Sequence, residues 1–342
     1  MPTKDELKML QSLPLEIKVA KTKQRIREWV DYYGVDGVYV SFSGGKDSTV
    51  LLHLVRELYP SVEAVFVNTG LEYPEIQQFA KSFDNVTVLR PKIRFDEVIK
   101  KYGYPIISKE VSQAVAEGKL NPTGRVHSKF DNNSDYCKKY GDRFCLAKWQ
   151  PLLHVDFNIS HKCCLTTKKQ PVKNFENQTD KQPILGTMTN ESILRLTQWI
   201  KSGCNVFNAK RPRSAPMSFW TNQDILQYIR QNDIKIVSVY GDIVYKDDPD
   251  QLRMENGYCG KLCTTGCDRT GCIFCGFGAH LERGETRFQR LKRTHPKQYA
   301  YCIGGGAYDT DGLWKPNKDG LGMHHVFDTL NRIYGADFIR YE

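Results

Sequence analysis

No apolar run in the chain approaches the ~20 residues needed to span a bilayer. The opening stretch, Met1-Pro2-Thr3-Lys4-Asp5-Glu6, has no apolar core of a secretory leader. A cytoplasmic protein with no membrane partner is therefore expected. There is no internal repeat and no low-complexity tract, so neither a solenoid nor a long disordered tail is expected. No G-x-x-x-x-G-K-S/T stretch occurs, which removes the Walker A loop. An acidic excess is also missing: 39 Asp and Glu face 49 Lys and Arg, a formal charge of +10. That balance fits a lysine-rich solvated surface or an anionic partner, either a nucleotide or a nucleic acid. Disulfides are not expected in a reducing compartment. The eleven cysteines, which cluster, read better as ligands of a metal or an iron–sulfur centre. With 342 residues, the chain has room for one large domain or two smaller ones.

The most informative stretch is Val40-Ser41-Phe42-Ser43-Gly44-Gly45-Lys46-Asp47-Ser48-Thr49. A short apolar run ends in two glycines, and an apolar pattern of helical spacing follows. Strand, tight turn and helix start make a phosphate cradle, because backbone N–H groups and the helix dipole both favour an anion there. Gly44 and Gly45 let the backbone approach a phosphate with no Cβ between. Lys46 can neutralise phosphate charge, and Asp47 can hold Mg²⁺.

Along the chain, residues 4–33 read as helix broken at Pro14, with Gly34 as C-cap. A strand is expected over 62–68, ending at Thr69-Gly70, where open α/β sheets bind ligands. A helix over 75–83 and a strand over 86–90 follow. A helical pattern over 94–118 breaks at Gly103-Tyr104-Pro105. The polar stretch 118–150, with Cys137 and Cys145, reads as irregular, either an insertion or a substrate-facing lid. His161-Lys162-Cys163-Cys164 sits just ahead of Lys168-Lys169, whose charge would offset a thiolate–cluster assembly. A strand over 182–187 precedes a helix opened by Asn190, and 204–207 is strand-like. Thr221 caps the next helix, with Asp224 at its third position. From about 245, Gly and Cys crowd together. A basic helix over 281–294, a flexible turn at Gly304-Gly305-Gly306 and a last helix over 323–334 complete the reading. Alternating strands and helices predict an α/β fold with a doubly wound, mostly parallel sheet.

The loop Ser43 to Ser48 resembles the pyrophosphate-binding S-G-G-x-D-S loop of the adenine-nucleotide alpha-hydrolase superfamily. Three further stretches extend the likeness: Asn68-Thr69-Gly70, Glu191-Ser192-x-x-Arg195, and Pro216 with Trp220, Thr221 and Asp224. Together they resemble the phosphoadenylyl-sulfate (PAPS) reductase family, from about residue 36 to 276. Cys163-Cys164 and Cys272-x-x-Cys275, roughly a hundred residues apart, match its iron–sulfur branch.

The resemblance implies a nucleotide site at Ser43, Gly44, Gly45, Lys46, Asp47, Ser48, Thr69 and Gly70, with Lys46, Asp47 and Arg195 catalytic. It also implies a 4Fe–4S cluster on Cys163, Cys164, Cys272 and Cys275. Zinc within 259–275 is the alternative, although Cys259, Cys263 and Cys267 fit no standard zinc spacing. Cys204, Cys302 and Trp220 read as packing residues. The reductases end in an E-C-G-I/L-H motif, and this chain ends Gly335-Ala336-Asp337-Phe338-Ile339-Arg340-Tyr341-Glu342 without it. Asp47 is the acidic residue that ATP-cleaving relatives use with Mg²⁺. The expectation is an arm at 1–35, a nucleotide domain at 36–244 and a Cys-rich region at 245–342 folded back on it. The substrate is ATP or an adenylyl sulfate. Adenylating sulfur transfer, with nucleic acid as a candidate acceptor and a sulfur-donor or redox protein as a candidate partner, ranks ahead of a thiol-dependent reductase and of a non-catalytic subunit.

Overall fold

The computed structural model describes residues 2–141, 144–246 and 260–342. It divides into two compact units, each discontinuous in sequence. One comprises 1–68, 72–90 and 172–270; the other comprises 69–71, 91–171 and 271–342.

The first unit is an α/β layer structure. Its six-stranded sheet runs, edge to edge, β3 (Val86–Leu89), β2 (Glu63–Val67), β1 (Val38–Ser41), Gln182–Leu185, Arg213–Ser214 and Asn205–Val206. The pairs are parallel except the last, in which Asn205 faces Ser214. Val38, Tyr39 and Val40 are all buried, as expected of a central strand covered on both faces. Such a strand cannot alternate, which is why it reads in sequence as a continuous apolar run.

The N-terminal helices belong to this unit. α1 (Lys4–Ser12) opens with a reciprocal cap in which Thr3 and Glu6 bond each other's backbone N–H. α2 (Leu15–Tyr33) stops at Gly34, whose φ of +77° suits glycine. α2 packs on α3 (Lys46–Leu58) and is fixed to the helix Asn222–Gln231 by a buried ion pair. Lys18 Nζ donates to both Asp224 oxygens at 2.8 Å. Asp224 also closes the capping box with Thr221. Trp220, fully buried, donates its indole N–H to Thr22 at 2.9 Å. The Pro216–Trp220–Thr221–Asp224 stretch thus works as the seat of the N-terminal arm.

The second unit is mainly helical. Its helices include Phe95–Tyr102, Lys109–Leu120, Arg287–Thr294, Pro296–Ile303 and Met323–Tyr334. Tyr104, Phe157, Phe288, Leu321 and Phe327 are buried. Two residues, Ile106–Ile107, pair in parallel with Gly276–Phe277. Ile107 has φ +62°, a strained value for a β-branched residue.

Five expectations are corrected. Cys137 and Cys145 form a disulfide, because the helix Asp135–Tyr140 and the turn at Gly141 bring their Cα atoms to 4.9 Å. The stretch around them is not irregular throughout; it also holds 3₁₀ turns at Arg125–Phe130 and Ala147–His154. Asn190 is not a helix cap: Ser192 caps Ile193–Ser202, and Thr189–Glu191 is a separate turn. The basic helix begins only at Arg287, where Thr286 and Gln289 form a capping box, and Gly304–Gly306 is closely packed. A Cβ on Gly306 would lie 2.3 Å from the Trp314 ring. Cys259 lies outside the described residues. Among the described residues no helix is long and apolar enough to cross a membrane.

Candidate functional site

The loop between β1 and α3 forms a candidate anion site wholly within the first unit. Gly44 has φ +70°, and a Cβ there would lie 2.7 Å from Ile76 Cγ2. Only glycine fits both the backbone and the space. Ser43 and Ser48 shape the turn. Ser43 N–H donates to Ser48 Oγ at 3.1 Å, and Ser48 Oγ donates to the Gly45 carbonyl at 2.9 Å. Gly186, past the end of the neighbouring strand, lets that backbone come close to Asp47: a Cβ there would lie 3.2 Å from the Asp47 carbonyl oxygen.

Lys46 and Asp47 begin α3. Lys46 is 3% exposed, with Nζ 3.3 Å from the Asp268 carbonyl oxygen and 3.4 Å from Asp47 Oδ1. Asp47 Oδ1 is buried and has no hydrogen-bond partner. Burial, and then the nearby Glu191 charge, push the Asp47 carboxyl up from its usual range, while Lys46 and Arg269 pull it back. A carboxylate beside a phosphate cradle, here paired with Lys46, is an oxygen donor of the kind that a hard cation such as Mg²⁺ takes.

Arg195 lies in the first turn of Ile193–Ser202 and pairs with Glu191. Glu191 also takes Arg269 Nη2 at 2.5 Å and the Met188 N–H at 2.8 Å. Tyr240 OH accepts the Lys46 N–H at 3.1 Å and lies 2.9 Å from Thr270 Oγ1. Sequence reasoning missed Tyr240, Asp268, Arg269 and Thr270. Tyr240 carried no signal, and 268–270 lay among cysteines that drew the reading toward metal chemistry.

The remaining expected residues lie in the second unit. Thr69 and Gly70 belong to it: Thr69 Oγ1 accepts the Leu71 N–H at 3.2 Å, and Leu71 O accepts the Ile273 N–H at 2.8 Å. The four cysteines converge here from two distant segments. Cys163 and Cys164 Sγ are 3.9 Å apart, and both Cys272 and Cys275 act electrostatically on Cys163. The hydrogen bond from Cys163 holds the Cys164 thiol down; burial opposes this, and the charges of Lys109, Lys168 and Lys169 assist it. Cys163 is pushed up correspondingly. Burial, with Cys272 nearby, pushes the Cys275 thiol up to about 11, and Arg287 donates to the Cys275 carbonyl at 2.9 Å. After the Cys pair the helix widens into one π turn, Leu165–Lys169, a feature common at functional sites.

Cysteine sulfurs are soft donors of the kind that hold iron–sulfur clusters once deprotonated, and Lys109, Lys168 and Lys169 favour the charged form of Cys164. Among the described residues no three His, Cys, Asp or Glu side chains are drawn together as ligands of a single ion. Cys302 and Trp220 are fully buried packing residues, as read from sequence. Cys204 is half-buried, with Sγ 3.2 Å from Ser218 Oγ.

A parallel α/β sheet with an anion cradle at the C-terminal end of its first strand defines the class of protein. The chain belongs to the phosphoadenosine phosphosulfate reductase domain family, whose model matches residues 37–276. It is 24% identical over 290 residues to an uncharacterized protein of Methanocaldococcus jannaschii, covering 81% of this chain and 51% of the relative. The chain thus spans about half the length of that relative. Sulfate adenylyltransferase subunit 2 of Shewanella sp. (strain ANA-3) is 25% identical over 268 residues, covering 74% of this chain and 77% of its own. A phosphoadenylyl-sulfate reductase from Candida auris, solved with phosphate, aligns with a TM-score of 0.38 at 11% identity, covering 70% of this chain and 91% of its own.

Proposed function

We propose that the protein binds ATP at Ser43–Ser48 and cleaves its α–β anhydride to adenylate an acceptor, as the activating step of sulfur transfer. The observation that carries this reading is the placing of Lys46 and Asp47 at the helix start beside the Gly44–Gly45 turn, with Lys46 Nζ 3.4 Å from the buried Asp47 Oδ1. An acceptor oxygen would form a bond to the α-phosphorus while the bridging oxygen takes the breaking bond's electron pair and leaves with pyrophosphate. Lys46 would neutralise the leaving group, Gly44 and Gly45 would admit it, and Arg195 would hold an anionic oxygen bidentately. Mg²⁺, when held by Asp47, supplies Lewis-acid stabilisation of the developing charge. The adenylyl transfer named in the Shewanella relatives supports α–β cleavage; their designation as a subunit supports a partner chain.

Cys163, Cys164, Cys272 and Cys275 would hold a 4Fe–4S cluster, which supplies electron or sulfur chemistry when bound. The sulfur acceptor is a nucleic acid on the charge balance, the donor a separate sulfur or redox protein, and the setting cytoplasmic.

Asp47→Ala is expected to abolish Mg²⁺-dependent release of pyrophosphate from ATP. Undiminished release would remove the loop as the site. Sulfite formation from adenylyl sulfate and a thiol donor would replace adenylation by reduction. Anaerobically prepared protein should carry about four irons per chain; stoichiometric zinc instead would end the cluster assignment.

A further inference from the structure

The cationic groups of the cradle are engaged within the protein. Glu191, 14% exposed at its side chain, takes both Arg195 and Arg269, and Arg269 is otherwise 63% exposed. One residue before Arg269, the Asp268 carbonyl oxygen lies 3.3 Å from Lys46 Nζ. One residue after it, Thr270 Oγ1 meets the Tyr240 hydroxyl that accepts the Lys46 N–H. Thr270 Oγ1 and Tyr240 OH are also the nearest atoms, at 3.1 and 3.2 Å, to the space a Cβ on Gly45 would take. Asp268-Arg269-Thr270 therefore lies over the phosphate side of the loop and occupies the groups that an incoming anion needs.

We propose that Arg269 is a second anion-binding arginine of this site, exchanging Glu191 for the anhydride tail of the nucleotide when the nucleotide enters. This rests on the reading of Ser43–Ser48 as a nucleotide loop. Arg269 is suited to the exchange. Its guanidinium stays charged at any working pH and presents a planar fork that fits phosphate or sulfate as well as carboxylate. Its exposure lets it turn without unpacking a core. Glu191 is the complementary part: its burial and its bond from the Met188 N–H fix it in place, so the arginines move and the carboxylate stays. Glu191 pairs with both arginines. Displacing them costs the ligand part of its binding energy, which an ester phosphate alone has too few oxygens to offset. The ligand class selected is thus a nucleotide carrying an anhydride beyond the α-phosphate, either polyphosphate or sulfate.

Calorimetric titration of the full chain with α,β-methylene-ATP, adenylyl sulfate and AMP tests this. Arg269→Gln is expected to weaken one or both anhydride nucleotides by about tenfold or more and to leave AMP within about twofold. Arg269→Lys should restore part of the loss, as a point charge does for a fork. Glu191→Gln keeps the acceptor for the Met188 N–H but releases both arginines, and it should tighten the anhydride nucleotides. A loss confined to the methylene-ATP places Arg269 on the β- or γ-phosphate. An equal loss with adenylyl sulfate places it on the group next to the α-phosphorus. If wild type binds an anhydride nucleotide and Arg269→Gln binds it equally well, or loses AMP in proportion, the exchange is wrong and the nucleotide loop stands. Glu191→Gln weakening both anhydride nucleotides overturns the exchange as well. A wild type that binds none of the three overturns the loop and the exchange together.

Discussion

At the scale of the residue, the loop was legible because its chemistry is local. Two glycines, a lysine and an aspartate between an apolar run and a helical pattern leave little else for the backbone to do. The structure adds that the glycines are not equivalent to others with positive φ. Gly44 combines φ +70° with an Ile76 contact at 2.7 Å from a would-be Cβ, whereas Gly70, at φ +74°, has open space around it. Gly44→Ala should therefore cost about 2–4 kcal/mol, backbone strain plus overpacking, while Gly70→Ala should cost about 1 kcal/mol. Denaturant unfolding monitored by fluorescence gives both numbers, and equal costs would mean that Ile76 yields freely. What sequence could not reveal was the engagement of Lys46 by Tyr240 and Asp268, since those partners lie about two hundred residues away.

At the scale of the element, long periodic segments were readable and short ones were not. The last helix, Met323–Tyr334, falls where its spacing put it, and Thr221 and Asp224 cap as expected. The hairpin of Ala307–Tyr308 with Trp314–Lys315 and the π turn after Cys164 are too short to leave a period. The Lys18–Asp224 pair belongs to this scale, because it joins α2 to the helix Asn222–Gln231. The sequence reading gave Asp224 only its capping role; the second role needs a partner from a different element. Side-chain exposures of 3% and 11% put this pair among buried ones. Lys18→Met should cost about 3–5 kcal/mol, since it strands a carboxylate, whereas Lys18→Met with Asp224→Asn should recover much of that loss. A thermal-unfolding cycle over the four proteins measures the coupling. Additive costs would show that the two helices are held by their apolar faces alone.

At the scale of the whole molecule, composition marked where cysteines crowd, but not which distant segments fold together. The second unit draws its residues from 69–71, 91–171 and 271–342, and the four cysteines come from two of these segments. Pairing of Ile106–Ile107 with Gly276–Phe277 joins the same two segments, immediately after Cys275. A cluster on those four cysteines would add a bridge between segments also joined by that short pairing, by the bonds of Asp156 to Tyr308, Trp314 and His325, and by the bond from Tyr104 OH to the Leu321 carbonyl. A group bound only by the folded state stabilises it by mass action, about 4 kcal/mol when present at a thousand times its dissociation constant. Removing the proposed cluster should therefore accelerate amide exchange in the second unit, above all at Ile106–Ile107 and Gly276–Phe277. Exchange at β1, β2 and β3, in the first unit, should change little. Cys272→Ser should give the same pattern without chelation, and Cys204→Ser, at a half-buried cysteine of the first unit outside the proposed ligand set, should not give it at all. Mass-spectrometric exchange on cluster-loaded, chelated and variant protein measures this peptide by peptide. A uniform rise over both units would make the cluster a global clamp. No change at Ile106–Ile107 would mean that the two segments are already held by packing, and that the thiolates are there for chemistry alone.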